Sequence, residues 1–444
     1  MLILILLISN MYYNLKKIKI FVLIFFFYLN SVVLFSDDIN NLSINEYCDN
    51  IHPYELTEYK IPQEIKIDTK KNKKWVKNLF NLVIEKNSSK YKTSESDWFT
   101  FQIDEKYKKK FNADILFSFK KPNYTCKSKA KISITGNLWW HIDWANGYPF
   151  SSLRLDLENG HLNNNTKYKL LLPSSRSADN KDINLELFVT TLFNKLKILA
   201  PNSYIVKVKI NGHKYNKYLV QEELNKEFLE SRGLIEGPLL EGDQRFTTEK
   251  YASSQWKGEL GLAKIINTSY ATRSIPNLEL SLKSISLLNS IFIDSSDESQ
   301  FQKRCHNNVV SINQKKYLKT KEEIRINQIY EALIYATQTL HSQTCDDRKF
   351  YFDPIKKILI PIYNDGKSTL DFKNNKTDDF SQATSNAIAG ANEAINLINT
   401  LDENSFFTDL LERGFDHNFK DFQKIKIKII KNLEYLKKQN IKEE

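Results

Sequence analysis

The runs Lys131-Ile-Ser-Ile-Thr-Gly-Asn137, Ser152-Leu-Arg-Leu-Asp-Leu157 and Tyr168-Lys-Leu-Leu-Leu-Pro173 decide the fold class. Each alternates or is densely apolar over five or six residues, which is the pattern of strands with one or both faces buried. A helical period then takes over: Leu185, Phe188, Val189, Leu192, Phe193 and Leu196 share one face. Asp182 stands where an N-cap is needed, and Pro201 ends the segment. Val206-Lys-Val-Lys-Ile-Asn-Gly212 and Tyr218-Leu-Val-Gln-Glu-Glu223 follow, joined through Asn211-Gly212. That dipeptide between two alternating runs is the strongest short-range hairpin signal.

Working outward, Glu64–Asp68 and Asp114–Phe119 read as strands, and Lys129–Thr135 as the strand that ends at Gly136. Trp75, Leu79, Leu82 and Val83 predict an amphipathic helix over about 71–86. Downstream, a helix over 224–231 ends at Gly233, and 247–319 is irregular with helical pieces near Leu278–Ile291. A long helix covers 322–340, and a second hairpin spans Lys349–Tyr363. Helices near Ser385–Leu401, Phe406–Arg413 and Phe419–Lys438 complete the chain. Strands concentrated in the first half and helices in the second, without a βαβ alternation, predict an α+β fold.

Composition narrows the function. Hydrophobic residues at 41% and aromatics at 12% exclude a disordered chain, and 12 glycines with 10 prolines exclude fibrous classes. The net charge is +11, yet 53 acidic residues accompany 64 basic ones and the lysines are scattered along the sequence. With no helix-turn-helix, zinc or base-stacking motif, the expectation is no nucleic-acid partner.

Lys16, Lys17 and Lys19 precede an apolar run from Ile20 to Phe35, and Met11 is an alternative start. This pattern predicts export to the periplasm or beyond. Residues 1–36 are either a signal peptide or an N-terminal anchor, since Leu34 and Ser36 make a poor cleavage site and the run is short for a full span. Any membrane contact is expected through that segment alone. Removing it takes away three lysines and no acid, leaving +8. Cys48, Cys126, Cys305 and Cys345 have no C-x-x-C spacing, which argues against zinc and leaves disulfides or buried thiols.

Walker, dinucleotide-binding, Gly-x-Ser-x-Gly and His-Glu-x-x-His motifs are absent. The ordered series of an I-x-G strand, the Ser152 strand, a helix running to Leu199-Ala-Pro201, an Ile-Asn-Gly hairpin and the Tyr218 strand resembles the CotH (spore-coat protein H) family of kinase-like proteins. Arg348-Lys-Phe-Tyr-Phe-Asp-Pro354 leading to Ile360-Pro-Ile-Tyr-Asn-Asp-Gly366 is similar to that family's N-F-Y-x-Y and I-P-W-D-x-D segments. The resemblance covers about residues 130–370. It implies an atypical protein-kinase-like two-lobed fold, an antiparallel sheet lobe followed by a helical lobe. The implied division is an N-terminal extension at 37–129, a core at 130–400 and C-terminal helices at 401–444.

The implied activity is ATP- and Mg2+-dependent phosphoryl transfer to a protein or cell-surface glycan. Its alternative is an inactive relative that binds an envelope polysaccharide or a protein. Phosphoryl transfer needs carboxylates on a metal, a cation on the phosphates and a group at the acceptor. By position the resemblance assigns Asp347 and Asp365 to the metal, although Asn364-Asp365-Gly366 also reads as a tight turn. Arg154 and Lys169 are the nearest cations, because Phe150 and Ser151 stand where the family has lysines. Glu186 is expected to orient one of them. Glu222 matches the nucleotide-facing glutamate, with Glu223 as its neighbour alternative. The family's catalytic aspartate falls on Ser342, flanked by His341 and Asp346 as substitute bases. Two further clusters carry two readings each. Trp139, Trp140, His141, Asp143 and Trp144 form either a sugar-binding loop or a packed one. Glu236-Gly-Pro-Leu-Leu-Glu-Gly-Asp243 is either a cation site or a turn-rich connection.

Overall fold

Strand β1 (Glu64–Thr69) is hydrogen-bonded on both sides, and that closes a barrel. Helix α1 (Asn72–Asn87) follows, then β2 (Phe111–Phe119) and β3 (Tyr124–Ile134). A small hairpin, β4 (Ile142–Ala145) and β5 (Tyr148–Ser151), precedes β6 (Leu153–Leu157) and β7 (Lys167–Leu171). Next come α2 (Asn184–Lys195), β8 (Ser203–Ile210) and β9 (His213–Glu222). The order around the barrel is β1-β2-β3-β6-β7-β9-β8, antiparallel throughout except for the parallel joint between β1 and β8. Alternation decides which side chains fill it: Ile65, Ile115, Ile132, Leu155, Tyr168, Val206 and Val220 point inward, joined by Trp75 and Leu79 of α1. At the β8–β9 turn, Asn211 and Gly212 both take positive φ, as a two-residue hairpin with right-handed strand twist demands.

The second half opens with α3 (Lys226–Glu230), β10 (Leu239–Gly242) and β11 (Ala263–Ile265). Helices α4 (Thr268–Ala271), α5 (Ile275–Asp294), α6 (Gln314–Tyr317) and α7 (Lys321–Thr337) lead into β12 (Lys349–Phe352) and β13 (Leu359–Ile362). The chain ends in α8 (Ser385–Asn399), α9 (Glu403–Glu412) and α10 (Phe419–Lys437). A four-stranded sheet, β11-β10-β12-β13, therefore lies among the helices. Phe350 and Phe352 pack with α5 on one of its faces, and Leu239 and Tyr351 pack with α3 on the other. Helix α2 is buried on nearly every side, between outward-facing Ile205 and Leu219 of the barrel and the bundle of α7, α8, α9 and α10.

The structure, a computed structural model, describes residue 48 and residues 61–87, 103–119, 124–136, 139–175, 183–242, 263–294, 310–344, 347–370 and 383–439. The expected export segment 1–36, Asp182, Cys305, Cys345 and Asp346 lie outside them. Asn45–Glu444 forms one compact unit. Among the described residues no helix is long and apolar enough to cross a membrane.

The chain is thus a mixture of α and β elements, and several expectations need correction. The expected antiparallel sheet of the first half closes into a barrel with one parallel joint, because β1 finds β8 as well as β2. Residues 37–129 do not stand apart as an extension: they supply β1, α1, β2 and the start of β3, so a boundary at 129/130 falls inside a strand. In the helix-rich second half, β10 and β11 join the expected 349–363 hairpin in one sheet. Part of the Trp139–Trp144 loop is a hairpin. Helix α7 stops at Thr337, where Gln338 turns left-handed, rather than at Leu340.

Two interactions fix this arrangement. Cys48 and Cys126 of β3 form a disulfide with Cα atoms 5.0 Å apart, linking residues 78 positions apart. Arg348, with no exposed surface, reaches Glu331 of α7 at 3.2 Å and also donates to the Val310 carbonyl. Glu331 accepts from Ser311, Thr384 and Asn386 as well. Replacing both cysteines with serine is expected to lower unfolding stability by about 2–4 kcal/mol, measured by urea titration under non-reducing conditions. Glu331→Gln leaves a buried guanidinium without its counter-charge and is expected to cost about 3–5 kcal/mol. In the same assay, the Arg348→Met, Glu331→Leu double variant should cost less than either single change.

Candidate functional site

Two rows of charge face one another. On the barrel, Leu153, Leu155, Tyr168 and Leu170 point inward, so Arg154 of β6 and Lys169 of β7 point outward, directly opposite each other. On the small sheet, Lys264, Glu241 and Lys349 form a cross-strand row over β11, β10 and β12. Lys349 Nζ lies 2.6 Å and Lys264 Nζ 3.1 Å from the Glu241 carboxylate. Arg154 Nε is 2.6 Å from Glu223, just past the end of β9.

The rows are electrically coupled. Burial depresses the Lys169 ammonium below its ordinary value; Glu223 and Glu241 oppose this, while Lys349 and Arg154 reinforce it. For Glu241, burial pushes upward but Lys349, Lys264 and Lys169 outweigh it and hold the carboxyl at about 2. Burial also works against the charge on Lys349, yet Glu241, Asp347 and Asp365 raise it above the usual lysine value.

Beyond Lys349 lies a group of possible ligands. The Leu340–Gln343 turn after α7 carries His341, the residue ahead of Arg348 is Asp347, and the segment after β13 carries Asp365. One donor atom from each lies within 4.8 Å of the others. His341 Nε2 is 3.3 Å from Asp347 Oδ2. Asp365 adopts φ 56°, a left-handed conformation that aspartate tolerates better than most residues. A Cβ on the next residue, Gly366, would collide with the Tyr363 hydroxyl and the Thr339 side chain, so only glycine fits there. The Tyr363 hydroxyl donates to Glu186 of α2 at 3.0 Å, tying the segment to the buried helix. Lys367 lies 4.9 Å from the Trp140 ring.

Of the residues singled out from sequence, Arg154 and Lys169 share the barrel row, and His341, Asp347 and Asp365 converge. Asp346 lies outside the described residues. Glu186 is not the partner of Arg154; Glu223 holds that cation, and Glu186 braces Tyr363 instead. Glu222 faces away from the charged rows, accepting from Asn202 at 2.6 Å and pairing with Arg232 at 3.1 Å. Strand alternation explains the switch, because one residue of register reverses the face. Ser342 is fully buried and its hydroxyl donates to the Thr339 carbonyl.

The tryptophan-rich segment is divided among separate contacts. Asp143 accepts from Tyr215, and half-exposed Trp144 meets Phe80 edge-on. Lys349 and Lys264 are the principal residues not assigned from sequence; Glu241 belongs to the Glu236–Asp243 run, of which Leu239–Gly242 is strand β10. Lys349 had a signal, a lone charge within the apolar strand Lys349-Phe-Tyr-Phe352.

Because the Glu241 carboxyl titrates below its ordinary value of 4.5, its stabilising effect is fully present above that value and disappears as pH falls toward 2. In urea titrations across this window the unmodified protein should therefore lose more stability than Glu241→Gln.

No family model matches the chain, and no curated protein matches it. Among solved structures, it is similar to a chain of the Shewanella oneidensis MR-1 toxin–antitoxin system HipA, HipB and operator DNA complex, at 9% identity and a TM-score of 0.28. The match covers 68% of this chain and 65% of that one.

Proposed function

We propose that the chain is an exported, divalent-cation-dependent phosphotransferase that uses ATP and acts on a protein or a cell-surface glycan. The observation that carries this reading is the convergence of His341, Asp347 and Asp365 beside Lys349. One imidazole and two carboxylates are chemically suited to a divalent cation. Mg2+ favours oxygen ligands, whereas an imidazole adds affinity for ions such as Mn2+ and Zn2+. Such an ion, when bound, would neutralise charge on phosphate oxygens.

The chain's own residues supply the remainder of the reading. Lys349, Lys169 and Arg154 bring cations to one cleft, and a polyphosphate would relieve their mutual repulsion. Glu241 and Glu223 keep those cations placed, while Tyr363 and Glu186 brace the Asp365 segment. The resemblance of the 130–370 region to the CotH family supports the same chemistry. Export draws support from the basic and apolar N-terminal segment and from the Cys48–Cys126 disulfide, which suits an oxidising compartment.

A second reading, an inactive relative that retains a binding site, is favoured by Ser342. Its buried hydroxyl is engaged by a carbonyl at the position where the family has a catalytic carboxylate.

Calorimetry with Mn2+, Mg2+ and a non-hydrolysable ATP analogue tests both readings on the full chain. Cation-dependent nucleotide binding that is lost in Asp365→Asn supports the site. His341→Ala should weaken binding of Mn2+ alone by about tenfold while changing that of Mg2+ little. Phosphoryl transfer from ATP then separates the active from the inactive reading. Absence of nucleotide binding with either cation would overturn the phosphotransferase proposal.

A further inference from the structure

A groove of about 510 Å³ lies where β1 passes into α1, beside the segment leading into β2. It is lined by Lys70, Lys71, Lys74, Lys77, Lys109 and Lys110, and by no carboxylate. The lysines look scattered in sequence, but the fold gathers two separate groups. Positions 74 and 77 fall on one face of α1, Lys70 and Lys71 lie in the turn before it, and 109–110 line the groove from the other segment. Two of these charges are balanced: Lys70 pairs with Asp114, and Lys110 lies 2.6 Å from Asp156. Among the described residues no carboxylate pairs with Lys71, Lys74, Lys77 or Lys109.

Local electrostatics run against this arrangement. The first turn of α1 contains no acidic residue, and Lys73 and Lys74 occupy it, next to the positive end of the helix dipole. Lys74 and Lys77 are also like charges three positions apart on the helix. An anion in the groove would relieve both repulsions.

The polar lining indicates the kind of anion. Asn78, Asn81 and Asn112 sit among the lysines; the Asn78 amide nitrogen donates to the Tyr107 carbonyl at 2.8 Å, while its oxygen and the Asn81 and Asn112 amides suit sugar hydroxyls. The lining contains no arginine, so it lacks the planar fork that grips phosphates in pairs. Its one aromatic ring, Phe111, is engaged edge-on by Trp75 at 5.2 Å, which is no platform for stacked bases. The volume is that of a site for a small ligand or a short polymer segment.

We propose that this groove binds a carboxylate-bearing polysaccharide, with lysines on the carboxylates and asparagines on the hydroxyls. The site is independent of the His341 cluster and of any phosphotransferase activity.

The test is calorimetric titration of the full chain with an oligogalacturonate, a neutral malto-oligosaccharide of equal length and a single-stranded oligodeoxynucleotide, at low and near-physiological salt. The expected result is binding of the oligogalacturonate, weakened by salt, with no binding of the neutral sugar and weaker binding of the oligonucleotide. The exposed triple variant Lys74→Glu, Lys77→Glu, Lys109→Glu should lose about tenfold or more in affinity while keeping its thermal midpoint. Lys420→Glu, Lys431→Glu on α10 should bind as the unmodified chain does. Equal losses in both variants, tighter binding of the oligonucleotide, or no binding of the acidic sugar would each overturn the proposal.

Discussion

The buried pair of Arg348 and Glu331 is the constraint around which the second half of the chain is arranged. Both side chains are fully excluded from solvent, so their charges are tolerable only in one matched geometry. Glu331 collects hydrogen bonds from Ser311, the α8 N-cap Thr384 and Asn386, while Arg348 lies 4.9 Å from the Phe350 ring and 5.5 Å from the Tyr330 ring. Helix α7, strand β12 and the start of α8 are thereby held in a single relationship. Because strand side chains alternate, anchoring Arg348 on one face commits Lys349 to the other, beside Glu241. The charged row of the small sheet is the reverse side of the buried pair.

The two facing rows concentrate like charge and then offset it. Arg154, Lys169 and Lys349 would repel strongly if left alone, but Glu223 and Glu241 stand between them. These carboxylates keep the cations in place. The Asp365 segment is held by different means, through a left-handed residue, a glycine that no side chain can replace and a tyrosine braced by Glu186. Such close packing keeps a carboxylate aimed at His341 and Asp347 in a segment without regular secondary structure.

Local signals were read most reliably where local physics decides the outcome. Asn211-Gly212 forced its hairpin, and the 3.6-residue apolar spacing located α1, α2 and α10 to within a few residues. The β12–β13 hairpin and the carboxylates flanking it were legible for the same reason. Strands β10 and β11 were not, because no tight turn joins them to a neighbour: Glu241 of β10 meets Lys349 of β12 across 108 positions. Glu222 and Glu223 differ only in the face they occupy, and one residue of strand register separates them.

The sequence by itself determined the mixture of strands and helices, the two hairpins and the residue types available for metal and phosphate chemistry, since these depend on neighbours a few positions apart. Only the tertiary structure decided that β1 pairs with β8 to close the barrel, a contact across some 140 residues. It likewise decided that Glu223 rather than Glu222 meets Arg154, that His341 joins the two aspartates, and that lysines from two segments form one groove. Those outcomes depend on which surfaces are buried together, and burial couples positions that no local periodicity connects.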